Sequence, residues 1–149
     1  MGGIIWSVWS LYQMSSVGIL DFEVGYSKEL VNEYFTKYGV EGLEIYRRVQ
    51  YIDIINPAVY GLLLLTLTYR FTKAQLTTYT VWAILALVFF DYLENILLFR
   101  IVNAYPVINE FTIGASSTLS YIKHLSMVAV IITVSWNIYL LKKGTTKQA

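Results

Sequence analysis

The chain of 149 residues contains no cysteine and one histidine, and only 14% of its residues are charged. The absence of cysteine excludes disulfide bonds, thiolate catalysis and cysteine-ligated metal sites. A single histidine also excludes a histidine-rich metal site, so we predict neither a metal nor another cofactor. The net charge of +1 provides no basic surface for nucleic acid.

Hydrophobic residues are abundant, at 56% of the chain, and the mean hydropathy is +0.54. Because a soluble domain usually carries about 25% charged residues, the composition predicts an integral membrane protein. We expect one all-α domain over residues 1–149, a bundle of four transmembrane helices. Each of the last three predicted spans reaches the ~20 residues that a bilayer requires. The predicted spans cover residues 4–20, 49–69, 77–103 and 117–141.

The first predicted span, residues 4–20, is short and polar for a transmembrane helix. A signal peptide is the alternative interpretation. The segment lacks a basic start and a small-residue cleavage site, which favours a retained span.

A short amphipathic helix is predicted at residues 28–38, between the first two spans. Ser27 can cap its N-terminus, and apolar residues recur at helical spacing along one face. Gly39 is a natural point for the helix to end. We expect this helix to cap the bundle or lie on the membrane surface, and a lid over a site is the sharper alternative.

Basic residues predict the orientation of the chain. The loop between spans two and three holds Arg70 and Lys73, and the C-terminal tail is rich in lysine, whereas residues 105–116 hold no basic residue. Positively charged loops stay on the cytoplasmic side. We therefore expect a multi-pass protein with both termini in the cytoplasm and residues 21–50 outside.

Three acidic residues, Asp53, Asp91 and Glu94, lie inside apolar sequence. A charged side chain at the centre of a bilayer costs at least ~2.5–3.5 kcal/mol on insertion scales. A hairpin of spans two and three that turns near residue 73 places all three acids at one depth. Intramembrane charges at one depth indicate a shared polar layer in the extracytoplasmic half.

The third span carries Asp91, Glu94 and Asn95 on one face, because their spacing is i, i+3 and i+4. Two neighbouring carboxylates favour a cation between them. A hairpin of spans three and four places Lys123 and His124 at the same depth. Lys123 is the preferred internal cation and His124 the second choice, and we expect only one of the two to point inward.

In the second span, Pro57 is predicted to interrupt the helical hydrogen bonding. A proline has no N–H, so the carbonyl of Asp53 loses its helical hydrogen bond. Tyr60 and Gly61 follow one turn later, and Gly61 allows another helix to approach closely.

The segments DIINPAVYG, FDYLEN and ASSTLSYIKH resemble small four-helix bacterial membrane proteins that contain D-x-x-x-P-x-x-Y-G and D-x-x-E-N segments. The likeness covers residues from about 39 to 125. It implies the four-helix fold and the bacterial inner membrane, and it brings no function with it.

Three functional hypotheses follow from the polar layer. The first is a site that binds, and could transform, a lipid-like or small amphiphilic ligand; Glu94 or Asp91 would then be the general acid or base, and whether the protein is an enzyme stays open. The second is a proton or cation pathway, and the third is a structural or assembly subunit of a larger membrane complex. Expected partners are membrane lipid and a lipid-like small molecule, and an oligomer is compatible with the sequence. The residues predicted for ligand binding or for the polar network are Asp53, Tyr60, Asp91, Glu94, Asn95, Lys123 and His124.

Overall fold

The computed structural model describes residues 9–13, 15–71 and 74–145, and in this part of the chain all the regular secondary structure is helical. Three helical segments are long and apolar enough to cross a membrane. Four long α-helices lie within the described residues: α1 (Lys28–Asp53), α2 (Asn56–Phe71), α3 (Ala74–Ala104) and α4 (Glu110–Thr145). The three segments that could cross a membrane are Lys28–Arg70, Thr78–Ala104 and Glu110–Leu140.

Helix α1 begins where the sequence predicts, because the Ser27 side chain accepts a hydrogen bond from the backbone N–H of Leu30. The predicted amphipathic helix corresponds to the first part of α1, up to Gly39. Gly39 has φ 62° and ψ −169°, a conformation that glycine adopts without strain. The backbone is not helical at Gly39, so α1 consists of two helical segments that meet at a kink, and the second segment runs to Asp53. Whether the first part of α1 lies outside a membrane stays a prediction.

The first predicted span, residues 4–20, lies partly outside the described residues. Residues 9–13 and 15 are helical, and the chain then leaves the helix at Ser16, which has φ 57°. Residues 16–27, named here the connector, contain one 3-10 turn at Leu20–Phe22. The first span is predicted to end at residue 20, whereas the helix ends at residue 15 and residues 16–20 belong to the connector.

The second predicted span, residues 49–69, is interrupted at residues 54–55, where α1 ends and α2 begins. Pro57 lies in the first turn of α2, where the missing N–H breaks no helical hydrogen bond. The fourth helix starts at Glu110 instead of 117. Asn109 explains the earlier start, because its side-chain oxygen accepts a hydrogen bond from the N–H of Phe111 at 2.8 Å.

Helix α3 is the centre of the fold, since it packs most extensively on α4 and also contacts α1 and α2. The larger apolar core lies at one end, between the connector, α1, the last turns of α3 and the start of α4. Phe35 is central there, with ring contacts to Tyr38, Tyr46 and Tyr105 at 5.3–6.0 Å. A second, smaller core of Ile84, Leu87 and Val130 lies towards the other end. The polar groups described next lie between the two cores.

Candidate functional site

Lys123 on α4 is the centre of a buried charge cluster. Its Nζ lies 2.5 Å from Glu94 Oε2 and 3.5 Å from Asp91 Oδ1, both on α3. The Glu94 side chain is fully buried, and those of Lys123 and Asp91 are nearly so. The structure thus brings together the two acids of α3 and Lys123, the residue that the sequence analysis prefers as their cation.

Helix α2 joins this cluster through Tyr60, whose hydroxyl donates to Asp91 Oδ2 at 2.6 Å. Asp53, at the end of α1, accepts from the Asn95 side-chain amide at 3.2 Å. Asp91 therefore has one neutral donor, Tyr60, and one charged partner, Lys123. The hydrogen bond from the Asn95 amide to Asp53 is longer and neutral. Hydrogen bonds to charged groups are stronger than neutral ones, so the two carboxylates are held unequally.

Asp21 in the connector also belongs to the cluster, and sequence analysis did not identify it. Tyr46 donates to its Oδ2 at 2.6 Å and Gln50 to its Oδ1 at 2.7 Å. Tyr46 and Gln50 are i and i+4 on α1 and so share one face. Lys123 Nζ donates to the Asp21 backbone carbonyl at 3.3 Å. The available clue was an acid placed inside the apolar run Ile19–Phe22.

Tyr26, just before α1, approaches the cluster from the other side of Glu94. Its hydroxyl lies 2.6 Å from Ser116 Oγ and 3.5 Å from Glu94 Oε1. Burial, followed by the nearby Glu94 carboxylate, raises the pKa of Tyr26 well above that of an ordinary phenol. Tyr26 therefore keeps its proton at neutral pH and acts as a hydrogen-bond donor in this position.

The connector is held over the cluster by side chains from two helices. Ser120 of α4 donates to the Glu23 carbonyl at 2.8 Å, and Ser117 accepts from the N–H of Tyr26 at 2.9 Å. Tyr38 of α1 donates to the Gly18 carbonyl at 2.7 Å. These side-chain contacts replace the regular backbone hydrogen bonds that an irregular segment lacks.

His124 lies beside Lys123, and its Nδ1 is 2.8 Å from the Ser120 carbonyl of the preceding helical turn. Both residues line one cavity, which differs from the expectation that only one of them would point inward. The cavity is lined by the connector and by all four helices, and on α4 its wall includes Lys123, His124 and Met127.

Gly61 brings α2 close to α3. A Cβ atom at this position would lie 2.7 Å from Val88 Cγ2. Pro57, predicted to be structural, is buried in the first turn of α2. Both residues set the path of α2 and thereby the position of Tyr60.

A partly enclosed cavity of about 490 Å³ opens against the charge cluster. One end is polar, with Asp53, Asn56, Asp91, Lys123 and Asp21. The other lining residues are mainly apolar. They include Val49, Leu63, Leu64, Leu87 and Met127. A cavity with an apolar wall and convergent polar groups is the usual form of a small-molecule site, and volumes of ~300–1,000 Å³ are typical.

An apolar layer separates this cavity from a second polar contact further along the bundle. Asn137 donates to Thr80 Oγ1 at 3.1 Å. On α3, Ile84 and Leu87 lie between Thr80 and Asp91, and on α4 Val130 lies between Lys123 and Asn137; these three apolar residues pack together as the smaller core. Buried hydrocarbon offers no hydrogen-bond chain along which a proton could move.

All seven residues predicted for the polar layer are found in one region of the structure. Lys123 contacts Asp91 and Glu94 directly, Tyr60 contacts Asp91, and Asn95 contacts Asp53. The residues that sequence analysis missed are the partners from the connector and α1. They are Asp21, Tyr26, Tyr46 and Gln50.

Comparison with known proteins gave no match: no protein-family model, no curated protein and no solved structure is significantly similar to this chain.

Proposed function

We propose that this protein is an integral membrane protein that binds a lipid-like or small amphiphilic ligand in the cavity beside Lys123. The observation that carries the proposal is the division of the cavity wall into a charged end and an apolar end. A ligand with a polar head and a hydrocarbon tail matches both ends at once. Burial of the tail would provide the affinity, and the polar end would fix the orientation.

The membrane placement of the chain supports the same ligand class. Three helical segments can cross a bilayer, and α2 carries exposed leucines on its outer face. An amphiphile dissolved in the bilayer would reach the cavity laterally, between α2 and α4. The apolar layer at Ile84, Leu87 and Val130 argues against the alternative of a proton pathway, because it interrupts the polar groups along α3 and α4.

The first testable prediction uses two neighbouring leucines of α2. Leu63 lines the cavity and is 58% exposed, whereas Leu62 does not line it and is 66% exposed. We expect Leu63→Trp to block the cavity and Leu62→Trp to leave it open. Native mass spectrometry after mild extraction should show a co-purified or added dodecyl amphiphile bound to the wild type and to Leu62→Trp, and much less bound to Leu63→Trp.

Leu62→Trp is the matched control for Leu63→Trp, because it makes the same change in size and hydrophobicity at the neighbouring position on α2. Both leucines are largely exposed, so neither substitution needs the core to repack. Equal binding by the two tryptophan variants, or no bound amphiphile in any of the three proteins, would contradict the proposed function.

A further inference from the structure

The cavity wall contains more acidic than basic groups. Three aspartates line it, Asp21, Asp53 and Asp91, against one lysine and one histidine, Lys123 and His124. Lys123 is already engaged, with Glu94 at 2.5 Å, Asp91 at 3.5 Å and the Asp21 carbonyl at 3.3 Å. An anionic head group would therefore meet several carboxylates and a cation whose hydrogen bonds are already directed to the protein.

The three aspartates differ in their partners. Asp21 accepts two short hydrogen bonds, from Tyr46 and Gln50, and Asp91 accepts one from Tyr60 and pairs with Lys123. Asp53 accepts a hydrogen bond from a neutral donor, the Asn95 amide at 3.2 Å. Among the residues that the structure describes, no lysine, arginine or histidine nitrogen lies within 4.0 Å of Asp53.

A buried polar atom without a hydrogen-bond partner in the described residues, the Asn95 side-chain oxygen, lies beside Asp53. Asn95 is 3% exposed, and its Oδ1 has no hydrogen-bond partner in the described part of the chain. The same amide group donates to Asp53 through its nitrogen, so the two acceptors are neighbours. A buried acceptor without a donor is costly. Asp53 lines the cavity and Asn95 does not, so the N–H groups of a ligand in the cavity would meet the Asp53 carboxylate.

We propose that Asp53 is the counter-ion for a protonated amine, and that the cavity therefore selects amphiphiles with an ammonium head over those with a hydroxyl or carboxylate head. This inference rests on the proposed function and names its ligand class. The ammonium group would bind at Asp53, and the hydrocarbon tail would lie against Leu63, Leu64 and Met127. An ammonium has three donors and no acceptor, which matches the Asp53 carboxylate in a wall that also holds Asp21 and Asp91.

The test compares three probes with the same chain: dodecylamine, dodecan-1-ol and dodecanoate. Each is titrated into the purified full-length protein in a neutral detergent, and binding is followed by the rise in the thermal unfolding temperature, which reports affinity by mass action. We expect dodecylamine to bind at least tenfold more tightly than dodecan-1-ol, and dodecanoate to bind most weakly.

Substitution of Asp53 identifies the residue responsible. Asp53→Asn should weaken dodecylamine binding at least tenfold and leave dodecan-1-ol binding unchanged, and Asp53→Glu should restore part of the preference for the amine. Glu41→Gln is the control, because Glu41 is exposed on α1 and its substitution changes the net charge of the protein by the same amount. This control distinguishes binding at Asp53 from a general attraction of the amine to acidic residues on the protein.

The outcomes separate the two proposals. Saturable binding of dodecan-1-ol as tight as that of dodecylamine, or equal losses of amine binding in Asp53→Asn and Glu41→Gln, would overturn the ammonium site and leave amphiphile binding intact. Failure of all three probes to bind would overturn the proposed function itself. Should Asp53→Asn not fold, as judged by circular dichroism, the order of the three probes on the wild type decides alone.

Discussion

At the residue scale, the polar layer depends on Lys123 as its shared cation. Its ammonium serves the Glu94 and Asp91 carboxylates and the Asp21 carbonyl, which come from α3 and the connector. Taking charges out of water is expensive, and the cost is recovered only when each charge has partners. Loss of the lysine would leave two carboxyl groups facing each other on α3 without a cation.

We therefore predict strong coupling between Lys123 and Glu94. Lys123→Met should lower stability by about 3–5 kcal/mol, the usual cost of removing one partner of a buried pair. Glu94→Gln in the same chain should recover much of this loss, because it removes one of the two unneutralised acids. Thermal unfolding of both single variants and the double variant in detergent measures the coupling.

Lys28→Met is the control for this cycle. Lys28 pairs with Glu110 at 2.7 Å, but both side chains are substantially exposed, and exposed pairs contribute little. Its unfolding temperature should stay close to that of the wild type. Strictly additive losses for Lys123→Met and Glu94→Gln would show that the two residues share no network.

At the element scale, the part of the cavity wall that α2 supplies depends on how closely α2 packs against α3. Gly61 provides the close approach, and Tyr60 beside it carries the hydrogen bond to Asp91. A larger residue at position 61 would push α2 outwards at the turn that positions Tyr60. The path of this helix is thus linked to the geometry of the polar end of the cavity.

Gly61→Ala should destabilise the protein, even though alanine favours helices. The added methyl group would lie 2.7 Å from Val88 Cγ2, and overpacking of this kind costs typically ~1–3 kcal/mol. Val88 is β-branched and has little freedom to move aside. We expect a lower unfolding temperature in detergent than for the wild type.

Gly114→Ala is the matched control, since Gly114 lies within α4 and a Cβ there meets no atom within 4 Å. This variant should be neutral or more stable, by up to ~1 kcal/mol, because alanine replaces glycine inside a helix. An unfolding temperature for Gly61→Ala equal to or above that of Gly114→Ala would rule out the close contact of α2 with α3.

The elements differ in how far the sequence predicts them. The face of α3 with Asp91, Glu94 and Asn95 follows from helical spacing alone, and the depth of Lys123 and His124 follows from the length of the next hairpin. The connector has no periodicity, so neither its path nor the burial of Asp21 is encoded locally. Tyr46 and Gln50 are its partners from 25 and 29 residues away, and such contacts appear only once the fold is known.

At the scale of the whole molecule, the distribution of residues is the reverse of that in a soluble protein. Leucine, phenylalanine and tryptophan are exposed on the outer faces of α2, α3 and α4, whereas Glu94, Asn95 and Gln50 are almost fully buried. Large exposed apolar surfaces need a matching environment. Three helical segments are long and apolar enough to cross a membrane. Under the proposed function, a bilayer would supply that environment and the buried polar groups would form an interior site within it.

The final prediction concerns the orientation of this site across the membrane. The excess of basic residues beside Arg70 and in the tail predicts that the C-terminus is cytoplasmic and that the cavity faces the outer half. Because the chain has no cysteine, a single introduced cysteine gives an unambiguous label. Val40→Cys and Val107→Cys, at positions 91% and 85% exposed, should react with a membrane-impermeant maleimide on intact cells. Lys143→Cys should react only after permeabilisation, and its labelling from outside would reverse the proposed orientation.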